Sequence, residues 1–177
     1  MKVLTADWEE IRRFYSPLLG VFNGCLVLSV SSGGTAIFTE LKTDHPHISV
    51  QCRRPSSSSR TKKHFVALAR FLPASFRNFL RFLEHILLMS FESGRREVRF
   101  SDDELARILS FPKIVILDDA IDTGRTIKSI GDCLRSAGYK GMILTVVFAW
   151  TNVRSCIQPD FWYKESVLIK FPWSHNL

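Results

Sequence analysis

The apolar positions of this chain fall into two patterns. Cys25-Leu-Val-Leu-Ser-Val30, Ile114-Val-Ile-Leu117 and Met142-Ile-Leu-Thr-Val-Val-Phe-Ala149 are nearly continuous apolar runs. Runs that do not alternate between apolar and polar read as strands buried on both faces, the situation of a parallel sheet covered by helices. Ile48 to Cys52 is a shorter strand of the same kind. Elsewhere the spacing is helical. Trp8, Ile11, Phe14 or Tyr15, and Leu18 recur with Glu9, Glu10, Arg12 and Arg13 between them, which predicts an amphipathic helix over Thr5 to Leu18. A second helix is predicted from Thr126 to Arg135, and short ones from the Ser31 to Thr35 turn to Leu41 and from Ser101 to Leu109. Ser101 and Glu104 form a capping-box pair at the start of the last of these. Strands alternating with helices predict an α/β fold with a mostly parallel sheet flanked by helices, in a single domain spanning residues 1–177.

Two stretches depart from that alternation. Arg53-Arg54-Pro-Ser-Ser-Ser-Ser-Arg60-Thr-Lys62-Lys63-His64 is polar, basic and without periodicity, hence a loop. It is followed by two predicted helices, Phe65 to Leu72 and Ser75 to Phe91. The second carries Phe76, Phe79, Leu80, Leu83, Ile86 and Leu87 on one face and Arg77, Arg81 and Glu84 on the other. The tail from Pro159 to Trp173 is aromatic and strand-like.

The chemistry concentrates after the Ile114 to Leu117 strand. Asp118, Asp119 and Asp122 stand at its carboxyl end, where open α/β sheets place their ligands. Thr123-Gly124-Arg125-Thr126 then supplies hydroxyls and a run of amides opening onto a helix, an arrangement that favours a phosphate. Carboxylates accept hydrogen bonds from a sugar diol and hold Mg²⁺ through its waters, so both halves together suit a ribose 5-phosphate. An EF-hand would need an oxygen ligand at Ala120, and a dinucleotide fingerprint would need glycines that are absent here.

The run Ile116-Leu-Asp118-Asp119-Ala-Ile-Asp122-Thr-Gly-Arg-Thr126 resembles the phosphoribosyl pyrophosphate (PRPP) signature of type I phosphoribosyltransferases. The order Phe148-Ala149-Trp150 followed by Phe171-Pro172-Trp173 extends the resemblance toward the xanthine, guanine and hypoxanthine enzymes. That resemblance implies the Rossmann-like type I fold, with residues 64–110 as a helical insertion and residues 150–177 as a hood. It also implies transfer of the 5-phosphoribosyl group of PRPP to a nitrogenous base, a purine by default, with Mg²⁺ as cofactor and pyrophosphate released. Asp122 would be the catalytic residue, and Asp118, Asp119, Thr123, Gly124, Arg125 and Thr126 would bind ribose and phosphate. The metal would meet Asp118 and Asp119 indirectly, through ribose or water. Ser32, Gly33, Gly34, Arg53 and Arg54 would bind pyrophosphate, and Trp150, Leu168, Ile169 and Phe171 would wall the base. A homodimer is expected, with the helical insertion as a candidate interface.

The chain departs from that pattern in places. Ser32 stands where a basic residue is usual, Trp150 where a lysine reads the purine carbonyl, Leu168 where a tryptophan stacks the base, and Ser174 where an acidic residue follows Pro-Trp. Two alternatives follow: a non-catalytic PRPP or nucleotide sensor of the same fold that binds RNA or a partner protein, and a transferase with a specialised acceptor.

Apolar content of 46% and charged content of 23% exclude a disordered chain. The net charge of +7 calls for an anionic partner, either a phosphorylated substrate or a nucleic acid. Cys25, Cys52, Cys133 and Cys156 show no metal spacing and read as reduced thiols of a cytoplasmic protein, consistent with an amino terminus that runs straight into charge. No apolar run is long enough to span a membrane. His45 and His47 flank Pro46 in a turn, where lone surface histidines are commoner than metal ligands.

Overall fold

The apolar runs become the interior of a sheet. The computed structural model describes residues 2–53 and 96–174. Its five-stranded sheet consists of β2 (Leu26–Val30), β3 (His47–Val50), β6 (Lys113–Ile121), β7 (Met142–Trp150) and β8 (Phe161–Glu165), in the order β3-β2-β6-β7-β8 with every neighbouring pair parallel. Every residue of β2 is buried, as the lack of alternation required. Two shorter pairings flank it: β1 (Lys2–Thr5) lies parallel to β9 (Val167–Lys170), and β4 (Cys52–Arg53) lies antiparallel to β5 (Glu97–Val98).

Helices cover both faces. On one, α1 (Trp8–Val21) and α2 (Ser31–Leu41) pack Ile11, Tyr15, Leu19 and Ile37 against Val27, Val115, Leu117, Val146 and Phe148. On the other, α3 (Asp102–Leu109) and α4 (Arg125–Ser136) pack Ile108, Ile127, Ile130 and Leu134 against Leu26, Leu28, Ile114, Ile116 and Val147. This is the mostly parallel α/β fold that the residue pattern and the family resemblance implied.

Several boundaries differ from the sequence expectation for local reasons. The first helix starts at Trp8, because Thr5 belongs to β1 and the Asp7 carboxylate caps the helix, accepting from the Glu10 N–H at 2.8 Å. The helix after β2 begins at Ser31 with no intervening turn, at a left-handed φ of 47°. The tail from residue 150 divides: β8 joins the main sheet, and β9 leaves it to pair with the amino-terminal β1, a strand the apolar pattern gave no reason to expect. The loop 54–64, Arg54 and the two helices expected between residues 65 and 91 lie outside the described residues. The described remainder of the expected 64–110 insertion holds β5 and α3, and α3 opens with the Ser101–Glu104 capping box.

Candidate active site

Strand order decides where a ligand can enter. From β2 the chain crosses to β3 on one side, and β6 returns on the other side of β2, so the connections diverge between β2 and β6. A crevice forms at such a switch point, beyond the carboxyl ends of the strands. Ser31 follows β2 there, and Asp118 to Thr126 lie at the end of β6.

The acidic pair sits inside β6 rather than after it. Leu117 and Ala120 pack with one core cluster and Ile116 and Ile121 with the other, so the alternation slips across Asp118-Asp119. Asp118 is buried and accepts from the Asp119 N–H at 2.9 Å. Burial, and then the neighbouring Asp119 charge, holds the Asp118 carboxyl well above the ordinary carboxylate range. Asp119 is half-buried, and burial raises it too, against the opposing pull of the Ala120 N–H and of the Trp173 indole, which donates at 3.4 Å. Behind the pair, the buried Tyr15 hydroxyl of α1 donates to the Asp118 carbonyl oxygen at 2.7 Å. Burial, followed by the negative charges of Asp119 and Asp118, keeps that phenol protonated and therefore a donor. Tyr15→Phe is expected to cost about 1 kcal/mol of stability, the net worth of one such bond, measured by denaturant unfolding; an unchanged midpoint would show the bond to be idle.

Two helix starts face this end of the sheet. The N-terminal amides of α2 and α4 receive no side-chain cap, whereas α1 and α3 are capped by Asp7 and Ser101. Gly124 precedes α4 at a φ of 75°, and a Cβ there would lie 2.6 Å from Ile157 Cγ2. Glycine is therefore required twice, for the left-handed backbone and for the approach of segment 151–157. That segment braces the loop: the Cys156 N–H donates to the Thr123 carbonyl at 2.9 Å, and the Thr151 N–H to the Ile121 carbonyl at 2.8 Å. Asp122 is exposed, with the Thr151 hydroxyl 3.5 Å from its Oδ1. Arg125 carries a buried Nη1 that finds no partner among the described residues.

The structure thus gathers Asp118, Asp119, Asp122 and Thr123 to Thr126 at one end of the sheet. Gly33 and Gly34, in α2, pack directly on β6: a Cβ at Gly33 would fall within the Asp119 carboxylate, and one at Gly34 would meet the Leu117 carbonyl. Their backbone proximity to β6, rather than an open glycine turn, is what their lack of side chains serves. Ser31 and Ser32 are exposed and border an open groove of about 790 Å³ that also touches Trp8, Thr35, Ser49, Gln51 and Cys52. Arg53 contributes its backbone to β4.

The four residues expected around a base are not brought together. Trp150 belongs to the core on the α3 and α4 face, edge-on to Trp162, with its indole N–H given to Ser155 Oγ at 2.9 Å. Ile169 and Phe171 pack with the α1 and α2 cluster, and Leu168, opposite Val3 in the β1–β9 ladder, is 43% exposed. The reason is pairing: β9 lies beside β1, and strand alternation turns Leu168 away from Ile169. Tyr15, Trp173 and segment 151–157 are the site neighbours that sequence reasoning passed over. The Pro172-Trp173 pair was the available signal for one of them; nothing local marks the others.

His45 and His47 have separate packing roles, His45 Nε2 lying 3.0 Å from the Leu19 carbonyl and His47 stacking on Phe38. Among the described residues no group of three or more His, Cys, Asp or Glu could hold a metal ion. No helix among them is long and apolar enough to cross a membrane.

Fold and site define an α/β protein whose sheet switch point carries two uncapped helix starts and a carboxylate pair. The phosphoribosyl transferase domain family matches residues 81–177, more than half of the chain, and the chain belongs to that family. Similar solved structures include a purine phosphoribosyltransferase from Pyrococcus horikoshii, with TM-score 0.62 and 15% identity over 100% of this chain and 97% of that one. The xanthine-guanine-hypoxanthine phosphoribosyltransferase of Helicobacter pylori gives 0.61 at 9% identity, over 97% and 93% of the two chains. A Neisseria gonorrhoeae protein with bound ppGpp gives 0.56 at 12% identity, over 98% and 89%. At these identities the likeness is one of fold. No curated protein matches the chain by sequence.

Proposed function

We propose that this protein transfers the 5-phosphoribosyl group of PRPP to a nitrogenous base, a purine being the acceptor class named for its structural neighbours. The observation that carries the reading is the pair of uncapped helix starts, α2 and α4, on either side of Asp118 and Asp119 at the switch point. Two anion-receptive ends and a diol-binding carboxylate pair between them match a sugar that carries phosphate at one end and pyrophosphate at the other. The 5-phosphate lies on the amides of Thr123 to Thr126, in the same turn as Arg125, whose buried Nη1 finds no partner among the described residues. Pyrophosphate lies at the Ser31 to Gly34 start of α2, next to the groove.

Mg²⁺ fits this donor set. Two hard carboxylates suit an ion that keeps waters and takes further oxygens from a substrate's phosphates. Asp118 and Asp119 would hold it through water or ribose, and when bound it supplies charge neutralisation for the departing pyrophosphate. Burial raises both carboxyls, Asp118 well above the ordinary carboxylate range, so the pair gains from a nearby cation.

In the transfer, the ring nitrogen of the base forms a bond to C1 of the ribose, and the bond from C1 to the pyrophosphate oxygen breaks, the electron pair leaving with pyrophosphate. The proton on the attacking nitrogen passes to the Asp122 carboxylate. Trp150 has given its only donor to Ser155, so it does not read a purine carbonyl; discrimination falls to other groups.

A specific observation favours a second reading. The start of α2 carries Ser32 where the resembling enzymes place a cation, and one full-length structural neighbour holds a nucleotide, ppGpp. Under that reading the same site binds PRPP or a nucleotide without turnover. Pyrophosphate release from PRPP and Mg²⁺, measured with guanine, xanthine, hypoxanthine, adenine, uracil, orotate and no base, separates the two. Release with one base identifies a transferase and its acceptor. A rise in melting temperature with PRPP or ppGpp and no release with any base identifies a binding protein.

A further inference from the structure

The second carboxylate of the pair is clamped from two sides. Asp119 rests on Gly33, where any side chain would occupy the position of its carboxyl group. From the other side Trp173 donates its indole N–H to Asp119 Oδ2 at 3.4 Å. Trp173 is itself fixed: it stacks on Phe171 with ring centroids 4.8 Å apart at 11°, and Trp8 lies 5.1 Å away. Phe171 is buried against Phe148 of β7, and the preceding residue, Lys170, is held by the β1–β9 ladder and by the Ala6 N–H to its carbonyl. A half-buried tryptophan needs a partner for its N–H, and most find a backbone carbonyl or water. Here the partner is a carboxylate of the candidate site, and the bond favours its ionised form against the burial that opposes it.

We propose that Trp173 is a positioning residue: through its indole N–H it sets the orientation of Asp119, and so couples the β1–β9 strand pair to the carboxylates that meet ribose and metal. The proposal rests on the PRPP reading above. Trp173 touches no substrate and acts through Asp119. The coupling also gives β1 a task, since it pairs with β9, the strand that ends three residues before Trp173.

The test uses the full chain. In the first arm, the indole N–H resonances of the four tryptophans are assigned by Trp→Phe substitution and followed in Asp119→Ala. The Trp173 resonance is expected to move and lose its protection from solvent exchange, and an unmoved resonance overturns the link whatever PRPP does. In the second arm, PRPP·Mg²⁺ binding is titrated calorimetrically in the unsubstituted protein, Trp173→Phe, Asp119→Ala and the double variant. Trp173→Phe keeps a ring against Phe171 and Trp8 and removes only the donor. It is expected to bind about tenfold more weakly, the usual effect of removing an outer hydrogen bond to a ligand-holding group. It should add nothing to Asp119→Ala, because both substitutions break one interaction. A merely structural tryptophan would weaken binding equally with and without Asp119, and that additivity overturns the proposal. Equal affinity of Trp173→Phe and the unsubstituted protein overturns it as well. Absence of PRPP binding in the unsubstituted protein overturns the proposed function and the positioning role together, and is distinguished by the first arm from loss of the link alone.

Discussion

Asp122→Asn is expected to lower kcat for pyrophosphate release by about a hundredfold, the lower range of what a positioned general base contributes, and to leave PRPP binding within about twofold. Asp122 stands beyond the end of β6, exposed, with the Thr151 hydroxyl 3.5 Å from its Oδ1. Asparagine keeps the shape of the side chain and can accept from that hydroxyl, but it takes no proton. The groups assigned to the phosphate and the diol are Thr123 to Thr126 and the Asp118-Asp119 pair, so ground-state binding is left in place. Turnover by the Asn variant at the unsubstituted rate, with an unchanged melting temperature, would remove Asp122 from the chemistry. A fall in PRPP affinity equal to the fall in rate would instead place it among the binding groups.

Gly34→Ala is expected to destabilise the protein by about 3 kcal/mol, overpacking at a site that cannot give, and to lower the melting temperature by roughly 6–12 °C. The Leu117 carbonyl that a Cβ would strike is backbone of a fully buried strand residue. Gly→Ala in a helix interior would otherwise stabilise by about 1 kcal/mol, so the sign of the change isolates the close approach of α2 to β6. Gly33→Ala meets the end of a side chain instead. It is expected to keep the fold within about 1 kcal/mol while displacing the Asp119 carboxylate and weakening PRPP binding at least tenfold. An unshifted melting temperature in Gly34→Ala, or unaltered PRPP affinity in Gly33→Ala, would refute the corresponding contact. Together the two neighbouring substitutions separate fold from site along one helical turn.

Much of this architecture was legible because it rests on local patterns. Continuous apolar runs can only be strands covered on both faces, and the residues of β2 and the middle of β6 are buried accordingly. The spacing of Trp8, Ile11, Phe14 or Tyr15 and Leu18 marked the first helix, of which Ile11 and Tyr15 are buried with Leu19 in place of Leu18, and the Ser101–Glu104 pair marked the start of α3. The acidic residues and the Thr-Gly-Arg-Thr run were recognisable because a strand, a loop and a helix start succeed one another within a few residues. Gly33 and Gly34 were visible as residues but ambiguous in purpose, since an anion-binding turn and a tight helix crossing both call for glycine. The groups expected around a base are spread over β7, β9 and the residue that follows β9, and the pairing of β9 with β1 that places them has no local signature.

By itself, then, the amino-acid sequence determined the elements, the class of fold and the place along the chain where the chemistry lies, because each of these follows from residues within a turn or a strand of one another. Only the tertiary structure decided that the amino-terminal strand pairs with the last one, that Tyr15 supports Asp118 from behind and that Trp173 reaches Asp119. Tyr15 and Asp118 are 103 positions apart, and Trp173 and Asp119 are 54 apart. No periodicity encodes such pairs. They meet because α1, Phe171 and Trp173 pack on the same face of the sheet, against β6.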